Sequence, residues 1–376
     1  MYNYLIVGAG LSGCVLAERI ATQLNRRVLL VDKRSHIGGN CYDYYDCDGL
    51  LIHKYGPHWF HTNDKSIFEY LSKFTEWRFH DHKVKSFVDG MLVPFPINID
   101  TINQLYKTKY NSTQEIQDFY DSVKVKNILR PKNAEEFVVS QIGYELFEKF
   151  YKNYSIKQWG ISPRELKASI TARIPIRVNK DDRYFTDYFQ AIPKHGYTKM
   201  FENMISRKNI HVEINTDFRD LPTVGLFDRV IYTGCIDSYF NYLYGELPYR
   251  SLEFKHETLN QEFFQECQQI NYPNDFDFTR VIEWKHATGQ IHEKTSITRE
   301  FPVNWDATKE PYYSVHTNES EVLFKKYKEE ADKLKTVHFC GRLAEFKYYN
   351  MDQVVARALT VFRNEIMKNT NRHNFY

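Results

Sequence analysis

The stretch Tyr4-Leu5-Ile6-Val7-Gly8-Ala9-Gly10-Leu11-Ser12-Gly13 joins a short apolar run to three closely spaced glycines. The apolar run predicts a buried strand, and the glycines predict a tight turn and the start of a helix near Leu11. Gly8 allows the turn, Gly10 lets the backbone approach a pyrophosphate, and Gly13 lets the helix pack closely on the strand. The free N–H groups at the start of the helix favour phosphate. The stretch therefore predicts a dinucleotide-binding unit.

The next segment supports this interpretation. Arg27-Val28-Leu29-Leu30-Val31-Asp32 predicts a second buried strand, and Asp32 stands where the ribose-binding carboxylate of such a unit belongs. Lys33-Arg34-Ser35-His36-Ile37-Gly38-Gly39-Asn40 resembles the second glycine motif of FAD-dependent proteins, which a domain that binds only nicotinamide does not need. The alternative for Asp32 is a solvated turn residue, and the alternative for the Gly-Gly segment is a flexible basic loop. We predict FAD, rather than NAD, as the cofactor.

Composition limits the class of protein. A chain of 376 residues exceeds one ordinary hydrophobic core, so we expect two or three domains. The net charge of +2 gives no sign of a nucleic-acid partner. No apolar run reaches the roughly eighteen residues that a membrane span needs. The six cysteines are scattered without a C-x-x-C pair, which is typical of a reduced protein, and we expect a cytoplasmic location.

The rest of the chain alternates between strand, helix and loop patterns. Residues 83–97 predict a hairpin around Asp89-Gly90, and a helical pattern over residues 101–151 is clearest over 134–151. Residues 154–185 have little periodicity and indicate loops, with one short helix at residues 163–169. Helices are also predicted from residue 196 and over residues 351–362. Further strands are predicted at residues 210–215, 227–234, 249–258, 280–285, 294–301 and 336–342.

These segments predict an α/β protein with a Rossmann-like FAD-binding domain, an inserted helical domain and an antiparallel β-sheet domain. The FAD-binding domain is discontinuous, because strands that suit its parallel sheet return after the insertion. It takes residues 1–80, 196–245 and 330–376. The helical domain takes residues 98–172. The antiparallel sheet domain takes residues 81–97, 173–195 and 246–329.

Three histidines fall within nine residues, at His53, His58 and His61. Such a density suggests a metal site, but no carboxylate or cysteine lies at an obvious ligand spacing within the stretch, and we predict no metal. Rings that line a cofactor pocket are the favoured interpretation, and an ordinary packed aromatic loop is the alternative.

Six further motifs occur in order along the chain. They are H-x-Y-G-P-H-x-F-H-T from His53, Y-x-I-K-Q-W-G from Tyr154, R-I-P-x-R from Arg173, D-D-x-Y-F from Asp181, P-Y-Y from Pro311 and G-R-L-x-x-x-x-Y from Gly341. With the first glycine motif, their number and order resemble the bacterial UDP-galactopyranose mutase family over the whole chain. The resemblance implies an isomerase, usually a homodimer, in which N5 of reduced FAD drives the contraction of UDP-galactopyranose to UDP-galactofuranose for cell-surface polysaccharides.

The resemblance also implies which residues bind the substrate. The two arginines that neutralise the diphosphate fall on Arg173 and Arg280, which suits guanidinium because it stays charged and binds phosphate oxygens in pairs. The family's mobile loop falls on residues 163–177 and its uracil-stacking aromatic on Tyr154. The remaining implied contacts are Trp159, Tyr184, Arg250, Tyr313, Tyr348 and Asn350. Surface ion pairs and ordinary core packing are the alternatives for these residue types.

Two histidines, His58 and His61, match residues beside the isoalloxazine ring and are implied, with Arg173 and Arg280, to be catalytic. The other implied cofactor contacts are Gly8, Gly10, Leu11, Ser12, Gly13, Asp32, Lys33, Gly39, Asn40, Arg342, Tyr348 and Met351.

The sequence departs from the family pattern at two positions close to the expected sugar. Asn350 stands where the pattern carries Asp, and Trp59 stands where a smaller aliphatic residue is usual. The sugar is therefore left open between galactose and the N-acetylgalactosamine, arabinose or dTDP-fucose nucleotides of related mutases. An FAD-dependent oxidoreductase of the amine-oxidase type is the alternative from another class, although it would not need paired arginines for a diphosphate.

Overall fold

A computed structural model describes residues 2–221, 226–306 and 308–368. Within these residues the chain forms strands in four sheets. The strands are β1 (Tyr4–Val7), β2 (Val28–Val31), β3 (Asp43–Tyr45), β4 (Leu51–His53), β5 (Phe60–Thr62), β6 (Trp77–Phe79), β7 (Val84–Val88), β8 (Met91–Phe95), β9 (Phe189–Pro193), β10 (Ile210–Glu213), β11 (Arg229–Tyr232), β12 (Tyr249–Leu259), β13 (Gln269–Asn271), β14 (Arg280–Glu283), β15 (Thr295–Asn304), β16 (Tyr313–Ser314) and β17 (Val337–Phe339).

The helices differ widely in length, and short 3₁₀ or π-helical turns adjoin some of them. The helices are α1 (Leu11–Gln23), α2 (Lys65–Leu71), α3 (Ile99–Tyr106), α4 (Thr113–Val123), α5 (Ala134–Phe147), α6 (Asn153–Trp159), α7 (Ser169–Ala172), α8 (Tyr197–Ile205), α9 (Ile236–Tyr239), α10 (Lys285–Thr288), α11 (Asn318–Lys333) and α12 (Met351–Val361). Among the described residues, none of these helices is long and apolar enough to cross a membrane.

A five-stranded parallel sheet has the order β10-β2-β1-β11-β17. Its central strands are buried on both faces, which explains why β1 and β2 are continuous apolar runs rather than alternating ones. The predicted Rossmann-like fold is confirmed, and so is the return of the chain to this sheet after a long insertion. The domain boundaries stay a prediction, and residues 369–376 of the last segment lie outside the described residues.

Helix α1 packs against the sheet at very short range. A Cβ atom at Gly13 would lie 1.9 Å from the carbonyl oxygen of Gly8, so only glycine fits between helix and strand. Helices α8 and α12 complete the layer, and their apolar faces share a core with α1.

A second sheet of seven strands has the order β16-β12-β15-β14-β13-β7-β8. The hairpin predicted around Asp89-Gly90 is confirmed as β7 and β8. The sheet is antiparallel as predicted except for one pair, because β7 runs parallel to β13. These two strands are distant in sequence, so no tight turn between them imposes the antiparallel direction.

Helices α3 to α6 form the predicted helical segment, but two local predictions are wrong. Residues 154–159 were expected to be loop and instead lie in α6, which continues from α5 through a π-helical turn at Glu148–Lys152. Residues 163–169 were expected to be a short helix, but residues 163–168 are not helical and α7 begins only at Ser169. The backbone of this segment forms hydrogen bonds with another part of the chain, since the Leu166 carbonyl accepts from the Ala134 N–H at 2.9 Å.

Residues 173–195, which we assigned to the antiparallel sheet domain, contain a strand that pairs outside the seven-stranded sheet. This strand, β9, lies between β5 and β6 in a small antiparallel sheet. The sequence signal failed because β9 is paired with strands more than 100 residues earlier, a contact that no local pattern encodes.

Substitution of Gly13 by alanine should destabilise the fold, because the new methyl group overlaps the Gly8 carbonyl. We expect a loss of roughly 1–3 kcal/mol in the free energy of unfolding, measured by urea denaturation. Gly10→Ala is the matched control, since a Cβ there would have its nearest neighbour at 3.6 Å. Equal stabilities of the two variants would contradict the packing described for α1.

Candidate active site

A cavity of about 590 Å³ opens at the carboxyl ends of the parallel strands, where Rossmann-like sheets bind their ligands. Most of the predicted cofactor contacts line this first cavity. They are Gly8, Gly10, Leu11, Ser12, Asp32, Lys33, Gly39, Asn40, His58, Arg342 and Met351. Gly13 lies beneath the cavity in the packing of α1, and His61 and Tyr348 line a second cavity instead.

The two glycine motifs meet in the wall of the first cavity. A Cβ at Gly39 would lie 2.9 Å from the Cα of Gly10, and Gly39 has a positive φ of 57°. The Gly38 N–H donates to the Ala9 carbonyl at 2.8 Å, which fixes the two stretches against each other. The result is a bare backbone surface that a pyrophosphate can approach without meeting a side chain.

Asp32 lies at the end of β2 with both carboxylate oxygens oriented by backbone donors. The N–H groups of Ala9 and Arg34 donate to these oxygens at 2.8 and 2.9 Å. Each oxygen keeps a further lone pair for a ribose hydroxyl. The bare glycine surface and this oriented acid together fit a dinucleotide.

A second cavity, of about 220 Å³, lies beside the first. Its walls bring together the predicted substrate residues from distant parts of the chain. These are Tyr154, Trp159, Arg173, Tyr184, Arg280, Tyr313, Tyr348 and Asn350, together with His58 and His61. The two cavities share lining residues, namely Asn40, His58, Arg342, Tyr349 and Met351. Ligands that occupy both cavities would therefore meet at this common wall.

Two arginines, Arg173 and Arg280, line the second cavity. Arg280, at the start of β14, donates to Glu300 at 2.7 Å, and Glu300 is fully buried. The Nε atom of Arg280 is buried and has no partner among the described residues. Arg173, next to α7, donates to the Asn350 side-chain oxygen at 3.0 Å and lies 4.3 Å from the centroid of the Tyr348 ring. Both guanidinium groups are held in place but keep donors for an anion.

Aromatic rings surround the cations. Trp159, Tyr313 and Tyr348 form a triangle with ring centroids 5.4 to 5.9 Å apart. The guanidinium of Arg342 lies 4.8 Å from the Tyr348 centroid, at the wall that both cavities share. Burial raises the pKa of the Tyr154 and Tyr313 hydroxyls. These hydroxyls therefore stay protonated near neutral pH and can donate hydrogen bonds to phosphate oxygens.

The two predicted histidines occupy different environments. His58 lies in the shared wall, where burial and then the nearby arginines lower its pKa to about 4, so its ring is uncharged at neutral pH. His61 is stacked on Phe185 with centroids 3.7 Å apart, and its Nδ1 bonds to Asp187 at 2.9 Å. No group of His, Cys, Asp and Glu side chains suited to a metal occurs among the residues described.

Arg250 was predicted to contact the substrate, but it lies outside both cavities. Its guanidinium donates to the carbonyls of Lys157 and Gln158 at 3.0 and 3.1 Å. These carbonyls end helix α6, where no intrahelical donor is available. Arg250 therefore supports the helix that carries Tyr154 and Trp159, and its predicted contact with the substrate stays a prediction.

Sequence reasoning missed several lining residues. These are His82, Phe185 and Gln269. Trp59 also lines the second cavity, and its position near the expected sugar had suggested this. His82 precedes β7 and Gln269 begins β13, two strands of the seven-stranded sheet. No motif marks them, because only the pairing of β13 with β7 brings them to the same site.

Two family models match the chain. The model described as UDP-galactopyranose mutase matches residues 149–348, and the model of the NAD(P)-binding Rossmann-like domain matches residues 6–74. The chain is 38% identical to a probable UDP-galactopyranose mutase of Klebsiella pneumoniae, with 95% of this chain and 93% of the relative covered. It is 34% identical to the dTDP-fucopyranose mutase of Escherichia coli, with 96% and 97% covered. A crystal structure of reduced UDP-galactopyranose mutase has the same fold, with a TM-score of 0.80, 14% identity and 98% and 95% coverage.

The buried histidines predict acid sensitivity of the fold. Burial lowers the pKa of His58 and His80 to about 4, and that of His53 and His82 well below the usual value. Below about pH 6.5 these histidines bind protons in the unfolded chain but not in the folded protein. The free energy of unfolding therefore falls between pH 6.5 and 4. His80→Gln should reduce this slope by up to roughly 1.4 kcal/mol per pH unit in urea titrations. An unchanged slope would contradict the assignment.

Proposed function

Since this chain belongs to the UDP-galactopyranose mutase family, we propose that it is a flavin-dependent isomerase that interconverts the pyranose and furanose forms of UDP-galactose. The observation that carries the proposal is the common wall of the two cavities. One cavity fits a dinucleotide, and the other presents cations and phenol hydroxyls suited to a nucleotide diphosphate. A cofactor ring and a sugar would meet at His58, Arg342 and Met351.

FAD is the cofactor that these residues fit best. The glycine surface of Gly10 and Gly39 would take the pyrophosphate and Asp32 a ribose. The isoalloxazine would then reach the shared wall, next to the first turn of α12 at Met351, where a helix N-terminus favours negative charge. When bound and reduced, the flavin supplies a nucleophilic ring nitrogen for the anomeric carbon of the sugar.

The arginines would hold the nucleotide when its bond to the anomeric carbon breaks. The departing diphosphate gains negative charge, and cations that are already oriented stabilise it without a reorganisation cost. Arg280 is fixed by Glu300 and Arg173 by Asn350, so both can act in this way. The protonated hydroxyls of Tyr313 and Tyr154 add donors. Because His58 is uncharged, it adds no acidic imidazolium proton that could protonate a nucleophile at the shared wall.

Residues 163–177 would act as a loop that closes over the sugar. Ile170, Arg173 and Ile174 line the second cavity from this loop, and the bond of Arg173 to Asn350 ties it to the first turn of α12. We propose that this is the closed position, which excludes water during the reaction. The homodimer and the cytoplasmic location stay predictions.

The choice of UDP-galactose rests on the relatives and is open to test. One relative is named for a dTDP-fucose substrate, so the reduced protein should be offered dTDP-fucose, UDP-N-acetylgalactosamine and UDP-arabinose beside UDP-galactose. We expect UDP-galactose to give the furanose product most rapidly, without net consumption of electrons. Turnover by the oxidised protein alone, with consumption of an electron acceptor, would instead support an oxidoreductase of the amine-oxidase type.

Replacement of either Arg173 or Arg280 by alanine should lower turnover by at least roughly a hundredfold, because the leaving diphosphate loses a cation. FAD should stay bound, and product formation should be followed by chromatography of the nucleotide sugars.

Arg299→Ala is the matched control. Arg299 precedes the Arg280 partner Glu300 on β15, so it points to the opposite face of the sheet, where it pairs with Glu257 at 2.6 Å. Near-normal turnover in both active-site variants would refute the role proposed for the arginines.

A further inference from the structure

The second cavity holds polar atoms that the proposed chemistry does not use. Gln269 lines this cavity and is only 3% exposed. Its Nε2 group donates to Asn271 at 2.9 Å, and its Oε1 atom has no partner among the residues the structure describes. Trp59 lines the same cavity, and its buried Nε1 donor also has no partner in that part of the chain. A buried acceptor and a buried donor are thus left for a ligand.

The register of the sheet places Gln269 on the same face as Arg280. Asn271 on β13 lies opposite Arg280 on β14, and Gln269 lies opposite Ile282. Because side chains alternate along a strand, these four residues point to the same face of the sheet. Two residues along a strand span roughly 7 Å. Gln269 and Arg280 are therefore diagonal neighbours on one face of the sheet, and both line the second cavity, so that one nucleotide sugar could contact both.

Trp59 also lines the second cavity and is held in place there by other rings. Its ring centroid lies 5.1 Å from His82 and 6.0 Å from Trp284. His82 is fixed in turn, because its Nδ1 bonds to the Gln268 side chain at 2.7 Å. The indole is therefore preorganised, and its N–H group, which has no partner in the described part of the chain, is a feature of a packed site rather than of a mobile side chain.

We infer that Gln269 and Trp59 bind the hydroxyl on the exocyclic carbon of the sugar and so select hydroxymethyl over methyl sugars. This inference rests on the proposed function and names its substrate class. A hydroxyl group can donate to the Gln269 Oε1 atom while it accepts from the Trp59 N–H. A methyl group can do neither, and it would leave both atoms buried and unpaired. The pair therefore favours galactose over its 6-deoxy analogue fucose.

The test compares the dissociation constants of UDP-galactose and UDP-6-deoxygalactose for the FAD-loaded protein, by calorimetry. The wild-type protein should bind UDP-galactose roughly tenfold more tightly, as expected for two modest hydrogen bonds. Gln269→Leu and Trp59→Phe should each lose most of this preference, mainly through weaker binding of UDP-galactose. Gln265→Leu is the matched control, because Gln265 also has a buried Oε1 atom without a partner among the described residues but does not line either cavity.

Equal binding of the two sugars by the wild-type protein, or a preference that survives in every folded variant, would overturn the inference. The two substitutions differ in size and position, so either one decides the question if the other fails to fold. Turnover separates this inference from the proposed function. If the protein shows the stated binding preference but forms no furanose product, only the proposed function is refuted. If it forms furanose product but shows no preference that depends on Gln269, only the inference is refuted. Failure to bind either sugar would overturn both.

Discussion

The contact between Gly10 and Gly39 determines how the site is arranged. Their backbones approach so closely that a Cβ at Gly39 would lie 2.9 Å from the Gly10 Cα atom. This contact brings the second glycine motif, with Asn40, against the end of β1, and Asn40 lines both cavities. The first cavity consequently ends where the second cavity begins. Chemistry between two ligands needs such a shared wall, because their reacting atoms must come into contact.

The charges around the second cavity are arranged to remain available. Arg280 is balanced by the buried Glu300, and an unpaired buried charge there would be costly. Arg173 is held instead by the amide of Asn350, which fixes the guanidinium without neutralising it. An aspartate at position 350 would compete with a diphosphate for this cation. Asn350, where the resemblance led us to expect aspartate, therefore leaves the charge of Arg173 available to an anion.

Local patterns in the sequence were enough to predict the parallel sheet, the β7–β8 hairpin and the cofactor cavity. Each depends on a few adjacent residues, such as the apolar run and glycines from Tyr4 to Gly13 or the turn at Asp89-Gly90. Family resemblance added the residues of the second cavity, which no local pattern connects. Arg250 differs from these residues, because its guanidinium bonds to carbonyls of helix α6 and does not line either described cavity. Strand β9, Gln269 and His82 escaped prediction because pairing over long sequence distances determines where they lie.

We propose that a nucleotide sugar in the second cavity touches the cofactor ring in the first cavity. The absorption spectrum of the FAD-loaded protein during titration with UDP-galactose tests this claim most directly. We predict a saturable change in the flavin spectrum with the same midpoint as the heat of binding measured by calorimetry. Binding that releases or absorbs heat but leaves the flavin spectrum unchanged would contradict the claim.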